Sequence, residues 1–418
     1  MNIATDPDGP TEAERFAELY DVEKHAVGND GILVEDPYPD FARLREEAPV
    51  HEGKVSDLLG APINPSMRPD VPHYSLFSFE ACNTALRENE TFSSAYYVGQ
   101  GTKMFGRGIL EMVGDEHRRY RALVQGAFTP SRASWWIDKW IAALVDEAVS
   151  GFEDRGRAEL NSELCARIPI QTITGSFGLN RQEALDYRER MNGGAGGDDG
   201  GAAFGAALLQ RVIDARRQQP EDDVITMLVE SELDENGVRH LLTDEEILGF
   251  ARLIVVAGSG TTWRQLGILL TVLLRQPELI DAMRDDRTLV RRAIEEVMRW
   301  ECTDPIFRRL VTKDVELCGT KIPAGSVVEV NLGAANRDPE RWDDPDRFDP
   351  SRPPKAHLGF AGGPHICLGM HVARAEMQVA LNAVLDRLPG LRFDDAAAPT
   401  RIVGLEHRGP TRLDVVFS

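Results

Sequence analysis

The residues with the clearest capacity for chemistry lie in HLGFAGGPHICLGMHVARAEM, residues 357–377. Cys367 follows a glycine-rich turn and precedes an amphipathic stretch, which places it at the mouth of a helix. A helix amino terminus favours thiolate over thiol. Gly362, Gly363 and Gly369 carry no side chains near the sulfur, so a large flat partner has room to approach. Three assignments stand open on these residues. A structural cysteine is the commonest fate of a lone cysteine, but it needs neither the glycines nor Pro364. A small metal site would use His365, Cys367 and His371. Residues 367 and 371 lie one turn apart, so His371 points along the helix, and no fourth ligand is close in sequence. The third assignment is a haem iron held by the thiolate.

Phe360, Gly363, Cys367 and Gly369 fit F-x-x-G-x-x-x-C-x-G, and Ala373-Arg374 follows. This stretch closely resembles the haem loop of the cytochrome P-450 superfamily. The resemblance implies that Cys367 is the axial ligand of protohaem (haem b, iron protoporphyrin IX). It extends to AIEEVMRW, where Glu296 and Arg299 share a helix face, and to RFDPSR, which supplies Arg352. In the family this Glu-Arg-Arg network locks the haem loop to the core. GDEHRRYRALVQGAFTP carries His117 and Arg121 four apart. The resemblance makes them partners of the haem propionates, together with Arg309 of RRLVTKD and with His365. Buried carboxylates need such partners, because unpaired buried charge is costly. AANRDPERWDDPDRFDP matches the run between hairpin and haem loop, so the resemblance covers about residues 75–418.

LIVVAGSGTTWRQLGILLTVLL (253–274) is apolar enough to be buried, yet Gly258, Ser259, Gly260, Thr261 and Thr262 are poor helix formers. By resemblance this is the long central helix over the haem, with Thr261 as the catalytic alcohol. Small residues let the backbone approach the porphyrin and leave space for dioxygen. A Thr hydroxyl that bonds back to the carbonyl four residues earlier opens a local kink. The family has an acid where this chain has Gly260. Dioxygen cleavage consumes two protons, so the proton route must differ here. Ser259 lies about 100° around the helix and is a poor replacement. Water beside Gly260 or a polar substrate group can serve.

The implied activity is a monooxygenase that uses dioxygen and two external electrons to hydroxylate a small apolar organic molecule. Matching segments offer Tyr96, Tyr97, Phe105, Leu253, Ala257, Pro305, Ile306 and Phe307 as walls of the substrate cavity. Electrons come from a ferredoxin or flavodoxin with its reductase, since the chain has no flavin or iron–sulfur segment. Arg118 and Arg119 are candidates for the basic patch that an acidic ferredoxin needs. Alternatives are a peroxide-driven, coupling or rearranging haem-thiolate enzyme, or a non-catalytic haem sensor or carrier.

These residues must be positioned by a chain of 418 residues, 42% of them hydrophobic. Its length is compatible with two or three domains, but the resemblance implies a single one over 1–418, mainly α-helical with small β-sheets. Residues 1–30 read as a loosely ordered polar leader without the basic start and apolar stretch of a signal peptide. APVHEGKVSDLLG and HYSLFSF read as strands. Residues 77–300 are mainly helical, and Thr243 with Glu246 has capping-box spacing. GGAGGDDGGAAFG (193–205) reads as a mobile loop within the domain. DVELCGTKIPAGSVVEVNL reads as a hairpin turning at Pro-Ala-Gly, followed by Pro-rich coil and a helix at about 368–387. A net charge of −21, from 47 Lys+Arg against 68 Asp+Glu, argues against a nucleic-acid partner. The one long apolar run is interrupted by polar groups and Arg264, which argues against a membrane span. Five scattered cysteines without C-x-x-C fit a reducing cytoplasm.

Overall fold

A computed structural model describes residues 11–24, 34–61, 68–99, 107–193, 199–235 and 237–418. Helices dominate it, as expected, and they surround a helix of 31 residues, Asp244–Leu274. That helix starts at the expected capping box. Thr243 Oγ1 accepts from the Glu246 N–H, and Glu246 Oε2 accepts from the Thr243 N–H at 2.8 Å. Its second half is buried on every side, from Gln265 to Leu274. Burial of this kind supplies what the weak central residues lack in intrinsic propensity.

The weak centre does not break the helix, which is α-helical throughout Asp244–Leu274. The expected back-bond forms, with Thr261 Oγ1 donating to the Ala257 carbonyl at 2.8 Å. Ser259 does the same to Val255 at 2.6 Å. Arg264 Nη1 donates to the Gly260 carbonyl at 2.6 Å. The two glycines have different reasons to be there. A Cβ on Gly258 would lie 3.0 Å from Ile173 Cγ1, so Gly258 lets the helix Arg167–Gly175 pack close. A Cβ on Gly260 would meet nothing within 4 Å.

The small β region is a five-stranded sheet in the order Val50–Glu52, His73–Leu76, Val327–Asn331, Ile306–Val311, Phe92–Ser93. Only the second and third strands run parallel. This sheet carries Arg309 on its fourth strand.

Several expected elements differ. The stretch 48–60 yields only the strand Val50–Glu52, and Val55–Leu58 is a short helix. The hairpin in 314–332 turns at Cys318 and Gly319, not at Pro-Ala-Gly. Both turn residues have positive φ, 47° and 83°, which matches the twist of a two-residue hairpin. The Pro-Ala-Gly turn instead leads into Val327–Asn331, which joins the large sheet. The glycine-rich stretch 193–205 is helical from Asp199, within Asp199–Gln218; residues 194–198 lie outside the described residues. A Cβ on Gly205 would lie 2.9 Å from the Tyr187 ring, so this helix needs its glycine to pack on Arg181–Gly193.

The expected leader contains structure too. Glu12–Leu19 is a helix with its own Thr11–Glu14 capping box. Phe16 is fully buried, and the Tyr20 ring meets Trp263 edge-on at 5.2 Å. The physical reason is an apolar face, Phe16, Leu19 and Tyr20, that the polar average of the segment conceals. Residues 1–10 and 25–30 of that stretch lie outside the described residues.

Candidate active site

Cys367 is set by two local features. A single turn of 3-10 helix, Gly363–His365, precedes it, and the helix Met370–Arg387 follows. Its N–H donates to the Phe360 carbonyl at 3.0 Å, closing the loop on itself. Burial pushes the Cys367 thiol upward, while the Gly369 N–H, Arg121 and Arg374 favour the thiolate. The expected help from the helix end is therefore present at Gly369 but does not by itself outweigh burial. A cationic partner at the sulfur would reverse that balance.

The glycines of the loop divide their work. Gly363 has φ +66°, and a Cβ there would lie 2.1 Å from the Leu86 carbonyl oxygen. A Cβ on Gly359 would lie 2.2 Å from the Met298 carbonyl oxygen. These two seat the loop against neighbouring backbone. Gly369 faces open space, with nothing within 4 Å of a Cβ. Gly363→Ala should therefore cost roughly 1–2 kcal/mol for the left-handed backbone and force Leu86 to move. The expected result is folded protein with strongly reduced haem content, read as the ratio of Soret to protein absorbance. An unchanged ratio would remove this account of the loop.

Behind the loop, neighbouring carboxylates divide between two tasks. Glu296 takes Arg299 at 2.7 and 2.9 Å and Arg352 at 3.0 Å, and accepts from the Asp349 N–H at 2.9 Å. Arg299 also donates to the carbonyls of Asn336, Pro345 and Arg347. The sequence-expected network is thus assembled, and it staples the coil before the loop. Glu295, which sequence reasoning passed over, takes Arg374 at 2.6 and 2.9 Å. Burial opposes its charge, yet bonds from His357 and Arg374 hold it down to about 2. The Arg374 guanidinium in turn lies 4.4 Å over the Phe360 ring.

His117, Arg121, Arg309 and His365 converge. The His117 and His365 rings are 4.0 Å apart, and Arg121 Nη2 donates to the Ile366 carbonyl at 2.7 Å. His365 Nε2 lies 3.0 Å from Ser94 Oγ. Arg309 is buried and donates to the Arg308 carbonyl at 2.8 Å. Among the described residues none of the four has a carboxylate partner. His117 Nε2 is buried without a hydrogen-bond partner. Burial and Arg121 pull His117 down to about 4; burial and the charges of His117, Arg309 and Arg121 pull His365 down to about 3. Burial also lowers Arg309 and Arg121. Such a cluster is incomplete without an anion. The propionates of a haem fit it, and Gly369 leaves the space a porphyrin face needs.

The central helix presents the opposite wall. Besides Arg252 and Gly258, the centre of the helix keeps solvent-accessible surface at Leu253, Val256, Ala257, Gly260, Thr261 and Arg264, and Ala257 is exposed. Their spacing puts them on one face. Among the other expected wall residues, Phe307 is half-buried. Tyr96, Pro305 and Ile306 are buried, Ile306 in a cluster with Tyr38, Phe41 and Phe77. Phe105 lies outside the described residues. No group of three or more His, Cys, Asp or Glu side chains is placed to hold a metal ion among the described residues, so the His365–Cys367–His371 alternative has no support.

A family model described as Cytochrome P450 matches residues 203–389. The chain is 33% identical over 385 residues to cytochrome P450 monooxygenase PikC of Streptomyces venezuelae, covering 88% of this chain and 87% of that one. It is 31% identical over 408 residues to methyl-branched lipid omega-hydroxylase of Mycobacterium tuberculosis, covering 90% of each. The crystal structure of CYP109E1 from Bacillus megaterium in complex with testosterone superposes with a TM-score of 0.79 at 25% identity, over 92% of this chain and 99% of that one. Identity of this extent over nearly the whole chain, with the cysteine loop and the basic cluster in place, shows that the chain belongs to the cytochrome P450 family and is a P450 monooxygenase.

Proposed function

We propose that this enzyme hydroxylates a small, largely apolar organic molecule, holding protohaem through Cys367 and taking electrons from a ferredoxin or flavodoxin with its reductase. The observation that carries the haem assignment is the convergence of His117, Arg121, Arg309 and His365 with no carboxylate among the described residues. When bound, the haem supplies dioxygen activation and oxygen insertion. The residues of the chain do the rest. His117, Arg121, Arg309 and His365 would hold the two propionates. Leu253, Ala257 and Phe307 line the substrate space and exclude water by apolar contact. Thr261 offers a hydroxyl that now donates to the Ala257 carbonyl and can rotate to hold a water or pass a proton. We place the enzyme in the cytoplasm, consistent with its free cysteines. Among the described residues the single helix apolar enough to span a membrane is the mostly buried central one.

Gly260 favours a second reading, a peroxide-driven enzyme that needs no proton relay for dioxygen cleavage. The measurement that separates them is product formed per NAD(P)H consumed with ferredoxin and reductase, against product formed with peroxide alone. For the dioxygen route, Thr261→Ala should raise peroxide release severalfold. Gly260→Asp fits sterically, since a Cβ there has open space, and should change the coupling of NAD(P)H to product. Identical coupling in wild type and both variants would defeat the role given to this helix face.

A further inference from the structure

A cavity of about 400 Å³ lies between the helices Ala142–Ser150 and Arg167–Gly175. Trp140 and Leu144 line one wall, Gln171 and Gly175 the other, with Leu179 beside them. Trp140 belongs to a π turn, Ile137–Ile141, that leads into the first helix; such wide turns frequently occur at functional sites. Its indole lies against Gly175, where a Cβ would be 3.2 Å from Cδ1. The Trp135 ring meets it edge-on at 4.6 Å, which holds its flat face in place. This is not the haem cavity. Ile173 of the helix Arg167–Gly175 meets Gly258 of the central helix. At about 100° per residue, Ile173 points almost opposite to Gln171 and Gly175. The helix therefore stands between this cavity and the central helix.

The charges at the rim are matched within the protein. Arg181 Nη1 lies 2.7 Å from Glu147 Oε1, and Lys139 Nζ lies 2.7 Å from Asp222 Oδ2. A charged ligand finds no free counter-charge there. The unmatched group is Gln171. It keeps 6% of its surface accessible, and its Nε2 is buried without a hydrogen-bond partner. Such buried donors are uncommon in folded proteins, because nothing replaces the water they give up. A half-turn about the last side-chain bond exchanges the amide nitrogen and oxygen, so the donor can be turned toward an acceptor in the cavity.

We propose that this cavity is a second ligand site, separate from the haem, that takes one uncharged, flat apolar molecule carrying a carbonyl oxygen. The Trp140 indole stacks on the flat body. Leu144 and Leu179 cover its apolar edges, and the Gln171 amide donates to the oxygen. The volume falls within the about 300–1,000 Å³ usual for small-molecule sites. A site with one unmatched donor and no unmatched charge selects for an acceptor and against an ion, because a ligand that lacks the acceptor leaves the donor unpaired. The site goes beyond the hydroxylation proposed above and does not depend on it.

The test uses the holoenzyme with phenylimidazole on the iron. The haem cavity is then filled, and a probe that displaces the azole shows as a Soret change. The probes are acetylnaphthalene, ethylnaphthalene, which lacks the acceptor, and naphthoate, which adds a charge. Binding is read by calorimetry and by quenching of indole fluorescence. One equivalent of the ketone should bind with the Soret band unmoved. It should bind about fivefold or more tighter than the hydrocarbon, the scale of one neutral hydrogen bond, and no weaker than the carboxylate. Gln171→Leu should erase the preference for the ketone. Ala143 is exposed on the same wall, so Ala143→Trp should fill the cavity without disturbing the core and weaken the ketone about tenfold or more. The inference is overturned by no binding while the azole holds the iron, by a ketone no better than the hydrocarbon, by a carboxylate that binds tighter than the ketone, or by binding that survives Ala143→Trp.

Discussion

Cys367→Ser is expected to abolish the long-wavelength Soret band of the reduced carbonyl complex, and with it NAD(P)H-driven product formation. The substitution is close to isosteric. The backbone bond from residue 367 to the Phe360 carbonyl does not involve the sulfur, and neither do the glycine contacts at 359 and 363. The loop should therefore keep its shape. What is lost is the soft anionic donor, because serine remains a neutral alcohol at any pH where the protein is folded, whereas a thiol deprotonates readily beside a metal cation. The basic cluster at His117, Arg121, Arg309 and His365 would remain, so haem should still associate, with weaker retention and altered spectrum. The check is the carbonyl difference spectrum together with far-UV circular dichroism. A wild-type spectrum from the serine variant would show that another residue is the ligand. The histidine variant Cys367→His should give a histidine-type carbonyl spectrum in place of the thiolate one.

The second large effect is expected at Glu296. Its carboxylate is nearly buried, as is the Arg299 guanidinium, and Arg352 and the Asp349 N–H share it. Glu296→Ala leaves Arg299 with carbonyl acceptors and no counter-charge. Removing one partner of such a pair costs about 3–5 kcal/mol, against a total stability of about 5–15 kcal/mol. The loss falls on the segment 336–352, which Arg299 and Arg352 tie together, and so on the seating of the haem loop behind it. Little soluble holoprotein should be recovered, and what is recovered should unfold at a markedly lower temperature. Glu296→Gln keeps the shape and both acceptor and donor capacity, and should fall between. Wild-type yield, haem content and Tm for Glu296→Ala would show that the network is not what holds this region.

Residue type and spacing determined much of this protein without coordinates. Cys367 among its glycines, the Glu296–Arg299 spacing and the capping box at Thr243 are local patterns. Each follows from chemistry that acts over a few residues, such as a helix turn, a tight loop or a cap. Where close packing between distant segments decides an element, the sequence was in several places silent or misleading. Gly258 and Gly260 look alike in sequence, but Ile173 makes one a packing necessity and nothing approaches the other. The glycine-rich stretch resembles a loop, yet from Asp199 onward it is a helix whose Gly205 packs against the Tyr187 ring. Residues 12–19 average polar, yet Phe16 finds a closed apolar site on the body of the fold. The pairing of Asp304 with His407 required two loops to be locked together by Arg408 and Thr303. Burial, close approach and charge pairing depend on which surfaces meet, and that is a property of the folded chain.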